Sequence, residues 1–244
     1  MRALTAPIET NIRNLLVEYG YADGEELLPG LAAISDVLTE HSLRCSPPLG
    51  TGDLDAPRIL APLKGGGLGV VLTEIAEGET SNVEFKSSLL TDTKKLAYAP
   101  GKPAQEYVSD AVVRSALKTI AAFANCGGGV LYLGVADDAS VCGLASDFSA
   151  ANPARADYDG WDLHLRNLIA SRLSDGTTVN QYVQTNCYKM EDGTPFVQAR
   201  VASRTRLTFV KTENRWELFM RAGTQTNSIP YAEIEQHFSM TRLY

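Results

Sequence analysis

Between Ser109 and Val135 the chain changes its hydrophobic period once, and three consecutive glycines, Gly127 to Gly129, mark the change. Before them, Val113, Leu117, Ile120 and Ala124 recur every three to four residues. That is the spacing of one helix face, with Ser109 placed to cap it and Asn125 with Gly127 to end it. After them, VLYLGV reads as a buried strand. The order of helix, glycines and strand excludes a phosphate loop, which runs from strand through GxxxxGK[ST] into a helix N-terminus whose N–H groups face the anion. Lys64 and the glycines that follow it fail as well, because the lysine comes first. The glycines are therefore expected to form a tight helix-to-strand turn.

The strand runs out on Asp137 and Asp138. Upstream, the run Gly78–Lys86 (GETSNVEFK) places Glu79 before a short strand and Glu84 within it. Strand alternation turns Val83 and Phe85 one way and Glu84 and Lys86 the other. Glu79, Glu84 and Asp137 are thus expected to meet at one sheet edge, with Asp138 as the alternative third acid. Mg²⁺ and Mn²⁺ seek such oxygen clusters and keep waters for substrate phosphate. The pattern reads as a metal-dependent phosphodiester site in which Lys86 stabilises negative charge in the transition state. The competing reading makes Glu79 and Glu84 solvent-facing edge residues and Asp137 the start of a turn.

The 244 residues are 44% hydrophobic, enough for one good core or one large domain with an appendage. No apolar run approaches the roughly 20 residues of a membrane span, and no signal-peptide pattern opens the chain. A cytoplasmic protein is expected. Cys45, Cys126, Cys142 and Cys187 lie far apart, without zinc-ligand spacing to any histidine, and read as reduced thiols. The net charge of −7 argues against nucleic-acid binding, but its distribution softens that objection. Residues 1–159 carry 12 Lys+Arg against 21 Asp+Glu, whereas residues 160–244 carry 10 against 8. Screening confines each patch to about 8 Å, so a basic face can bind phosphate on an acidic protein.

Residues 7–19 and 24–41 carry helical stripes, and residues 47–69 break every periodicity with Pro and Gly. We expect a helical N-terminal segment over residues 1–45, a linker over 46–68 and the main domain over 69–244. In that domain GVVLTEIA (residues 69–76) and NVEFKSSL read as strands, and residues 91–107 as a surface loop. A second helix is expected over 159–173. Two hairpins follow, the first turning at Glu191–Thr194 and the second at Thr212–Arg215, and a short helix begins near Pro230. The class is α+β, a mixed or antiparallel sheet with packed helices, preceded by a small helical segment.

In order along the chain stand a Glu five residues before the Glu of an EFK run (Glu79, Glu84 to Lys86), a helix ending AFAN (Ala122 to Asn125), a Gly-Gly turn (Gly128, Gly129), a strand ending Gly134-Val135, the acid Asp137, and Arg221, Gly223 and Thr226. This pattern resembles the AlbA-like domain of the Schlafen family over about residues 70–240. The resemblance implies a three-carboxylate centre of Glu79, Glu84 and Asp137 holding Mg²⁺ or Mn²⁺. Lys86 would assist cleavage of structured RNA such as transfer RNA. From the charge distribution along the chain, Lys94, Lys95, Arg204 and Arg206 are expected to position phosphates. Where the family often reads Val-Asp-Asp, this chain has Val135-Ala136-Asp137 followed by Asp138. The resemblance implies, as the alternative, a non-catalytic nucleic-acid-binding module, with DNA as the second ligand class. A homodimer or larger assembly is expected to widen the binding groove, with residues 1–45 as the dimer or protein-partner element. A role as a toxin in phage defence extends the same resemblance.

Overall fold

The computed structural model describes residues 67–230 apart from residue 214, all within the compact unit Asp53–Leu243. The helices expected in residues 1–45, the linker up to residue 66 and the helix after Pro230 lie outside the described residues. The described elements are α1 (Leu68–Ala76), β1 (Val83–Lys86), α2 (Thr93–Tyr98), a 3₁₀ turn (Ala104–Tyr107), α3 (Asp110–Asn125), β2 (Gly129–Leu133), α4 (Ala145–Ala151), α5 (Tyr158–Arg172) and α6 (Gly176–Val179). A 3₁₀ turn (Asn180–Tyr182) then leads into β3 (Val183–Lys189), β4 (Pro195–Val201), β5 (Phe209–Lys211), β6 (Trp216–Ala222) and β7 (Gln225–Ile229).

The strands make two sheets. The first has the order β1-β2-β4-β3, with β1 and β2 parallel and the other pairs antiparallel. The second is the antiparallel meander β5-β6-β7. The fold is α+β, as the alternating periods predict. Glu84 lies beside Leu131 and Lys86 beside Leu133. They share the sheet face that meets the larger core, where Leu131 and Leu133 pack with Leu117, Ile120, Phe123 and Trp161. Val83, Phe85 and Tyr132 face the other way and pack under Val71 and Ile75 of α1.

GVVLTEIA is a helix and not the expected strand. The short apolar run Val70–Leu72 suggests a strand, but Leu68, Val71, Leu72 and Ile75 sit at helical spacing and are the residues that α1 presents to the second core. The loop expected over 91–107 contains α2, whose N-cap Asp92 accepts from the Lys94 and Lys95 amides. β7, QTNSI, is a strand without apolar alternation, fixed by pairing with β6 rather than by pattern.

The glycine turn is as tight as the sequence requires. Gly127 and Gly128 have φ of 82° and 90°. A Cβ on Gly129 would lie 2.4 Å from a Phe123 ring carbon and 2.8 Å from the Asn82 carbonyl. Only glycine lets α3, β2 and the segment before β1 approach this closely.

β1 is an edge strand, and three of its outward backbone groups are bonded within its own chain. Thr80 N–H donates to the Val83 carbonyl, Phe85 N–H donates to Glu79 Oε1 at 2.8 Å, and Lys86 Nζ donates to the Phe85 carbonyl at 2.8 Å.

Candidate functional site

The signature residues converge, but around an arginine. Arg221 on β6 lies directly across from Thr226 on β7, joined by a tight turn in which Gly223 takes φ of 61°. The Arg221 side chain is 4% exposed. Its Nη1 donates to Glu84 Oε2 at 2.7 Å and to Thr226 Oγ1 at 2.9 Å. Nη2 donates to the Thr80 carbonyl and Nε to the Ser81 carbonyl. The guanidinium also lies 5.1 Å from the centre of the Phe123 ring, in cation–π range. One side chain therefore ties the loop before β1, β1 itself, α3 and the second sheet together.

The AFAN residues complete this joint. Asn125 Nδ2 donates to the Thr208 and Phe219 carbonyls, while its Oδ1 accepts from Thr208 N–H. Cys126 Sγ accepts from the Arg221 amide.

Glu84 has both oxygens occupied. Oε2 accepts from Arg221, and Oε1 accepts from Lys86 Nζ at 2.6 Å. Two cations flank one carboxylate that is 12% exposed. Glu79 turns back along β1 and spends Oε1 on the Phe85 amide. Its role in the structure includes sealing a strand edge.

Asp137 does not join them. Parallel pairing carries the chain past the C-terminal end of β1, and Val135 then bridges Val141 around a tight turn. Asp137 is exposed in that turn, as is Asp138, which accepts from the Ser140 amide and hydroxyl. The bond from the Ser140 hydroxyl, then that from its amide, holds the Asp138 carboxyl below its ordinary range. Among the described residues no group of three or more His, Cys, Asp or Glu side chains is arranged to hold a metal ion. The expected convergence of Glu79, Glu84 and Asp137 is absent, because Asp137 rides a turn and both Glu84 oxygens are already held by Lys86 and Arg221. This donor set does not fit the Mg²⁺ or Mn²⁺ that the sequence pattern suggests.

The four expected phosphate-positioning cations divide. Lys94 and Lys95 are exposed on α2, with Lys95 Nζ reaching the Glu106 carbonyl. The Arg206 side chain is 66% exposed and lies 3.8 Å from Asp175. Arg204 is interior: its side chain is 3% exposed, stacks 5.3 Å above the Tyr182 ring and donates to Thr208 Oγ1 at 2.7 Å. A guanidinium so placed braces the loop before β5 and does not offer its donors to solvent phosphate.

Two further polar centres escaped the sequence reading. Asp147 on α4 is 1% exposed and accepts from the Ser88 and Thr91 hydroxyls and from the amides of Leu89, Leu90 and Thr91. It fastens the segment leaving β1 to α4. Tyr132 donates its hydroxyl to Glu74 and accepts from Gln198 Nε2 at 2.7 Å. Burial, then the Glu74 bond, pushes the Tyr132 phenol far above its ordinary range. The signal for Asp147 was weak: an acid in an ASDF stretch whose partners lie more than fifty residues away.

No helix among the described residues is long and apolar enough to cross a membrane. Comparison with curated proteins gave no match. The family model described as Schlafen, AlbA_2 matches residues 79–230, well over half of the chain, and takes in Glu79, Glu84, Asn125, Asp137 and Arg221. Such a family is consistent with a nucleic-acid-related domain. The span of this match, which takes in the residues of the Arg221 joint, shows that the chain belongs to the Schlafen AlbA_2 family.

Proposed function

We propose that this chain is a nucleic-acid-binding domain, with structured RNA such as transfer RNA as its ligand, and that its signature acids serve the fold more than catalysis. The observation that carries this reading is the closed charge cluster at Glu84, whose two oxygens are held by Lys86 and Arg221. Phosphate contact then falls to exposed cations, Lys94 and Lys95 on α2 and Arg206 beyond β4. Such contacts give affinity without base specificity, so RNA shape governs recognition.

The second reading is a divalent-metal-dependent endoribonuclease with Glu79, Glu84 and Asp137 as acids and Lys86 as electrostatic helper, which requires Glu84 to give up Lys86 and Arg221 and the turn bearing Asp137 to move toward it. One observation favours it: Glu79 and Glu84 both bind along the short strand β1, with Lys86 adjacent. Incubating the full chain with labelled transfer RNA and Mn²⁺, Mg²⁺ or EDTA separates the two. The binding reading expects retained RNA affinity in EDTA and no cutting. Metal-dependent cutting that disappears in Glu84→Ala overturns it.

A further inference from the structure

Among the large hydrophobic side chains exposed on the described surface, Tyr98 stands apart at 92%. Exposed apolar residues are common singly, so exposure alone decides nothing. What distinguishes Tyr98 is the rigidity of its support. Asp92 caps α2 by accepting from the Lys94 and Lys95 amides, and the Ala99 amide donates to the Lys95 carbonyl, closing the helix just past Tyr98. Immediately beyond, the Tyr107 hydroxyl, on a residue 1% exposed, donates to the Ala99 carbonyl at 2.6 Å and accepts from the Lys102 amide at 3.0 Å. Lys95 Nζ clamps the same segment through the Glu106 carbonyl. The ring thus projects from a short helix anchored on both sides.

Its neighbours are cationic. Lys94 lies four residues before Tyr98, one helical turn away on the same face. Lys102 follows the pinned turn, its ion pair to Glu106 lying between side chains more than half exposed, and such pairs are weak. An exposed aromatic face with exposed lysines four residues to either side along the chain is what a splayed-out nucleotide requires: a surface for the base and a charge for its phosphate.

We propose that Tyr98 is a stacking residue for an unpaired base of RNA, with Lys94 and Lys102 on the flanking phosphates. This rests on the nucleic-acid-binding reading above and names the part of the RNA that the domain grips. The stack holds the base and the ammonium groups hold the strand, so the two are separable by salt.

Fluorescence anisotropy of the full chain with labelled transfer RNA and with a labelled single-stranded oligoadenylate tests it. Tyr98→Ala is expected to weaken both affinities about tenfold while leaving the salt dependence unchanged, and Tyr98→Trp to retain them. Lys94→Ala is expected to lower the slope of log affinity against log salt by roughly 0.7. Wild-type binding that Tyr98→Ala leaves intact overturns this inference alone. Failure of the wild-type chain to bind either RNA overturns the functional reading and this inference with it.

Discussion

Replacing Arg221 with Met keeps most of the length of the side chain and removes its charge and donors. The loss includes the bond to Glu84 at 2.7 Å, the bond to Thr226, the two loop carbonyl contacts and the stacking on Phe123. Breaking one side of a buried ion pair costs about 3–5 kcal/mol, most of it from the charge left without its partner. Here Lys86 stays on the other oxygen of Glu84, so we place the cost near the lower end, at about 3 kcal/mol. For a domain of this size that corresponds to a fall in Tm of roughly 6–12 °C. Arg221→Lys retains charge but not the fork, and is expected to lose about half as much. Urea denaturation of Arg221→Met, Glu84→Gln and the double variant measures the coupling directly, and an interaction energy above about 1 kcal/mol is expected. A single variant within about 0.5 kcal/mol of the parent, the range of ordinary surface substitutions, or strict additivity in the cycle, would refute the view that Arg221 is the joint between the sheets.

Asp147→Asn is expected to destabilise by about 2–4 kcal/mol, because an amide offers one acceptor oxygen where five donors converge, and the same denaturation measures it. Gly129→Ala is expected to cost about 1–3 kcal/mol through collision with Phe123 and Asn82, read as a fall in Tm; an unchanged Tm counts against the close approach. At Glu217, burial pushes the carboxyl up, but the bond from Arg215 and the charge and bond of Arg114 outweigh it and hold it below its ordinary range. A depressed folded value means the contribution is full above the unfolded carboxylate range of about 4.3 and is lost as pH falls through the folded value. Thermal melts from pH 6 to pH 3 are expected to show that loss in the parent and a shallower dependence in Glu217→Gln.

The sequence made the helix of Asp110–Asn125, the strand Val83–Lys86 and the glycine turn between helix and strand readable, because each has a local cause: period, alternation or φ. The shared face of Glu84 and Lys86 followed from alternation alone. What β1 does with that face was not readable, since the partner of Glu84 comes from β6, 137 residues later. The acids looked like a centre because their types match one, but a carboxylate's role depends on which cation is nearest. The pairing of β1 with β2 in parallel and the turn after Val135 decide where Asp137 stands, and neither is encoded in the spacing of acids. Arg204 misled for a related reason: a long charged side chain in a strand-rich region reads as surface until its aromatic partner, Tyr182, is located.

The sealing of β1 has a bearing on how copies of this domain meet. A strand arriving from another molecule would find the Val83 carbonyl, the Phe85 amide and the Phe85 carbonyl already taken, by Thr80, Glu79 and Lys86 respectively. Growth of the four-stranded sheet by addition of a foreign strand is thereby disfavoured at that margin relative to the opposite one, β3, whose side chains Gln184, Asn186 and Lys189 are solvated. An acid and a lysine that look catalytic thus also act as guards against misassembly.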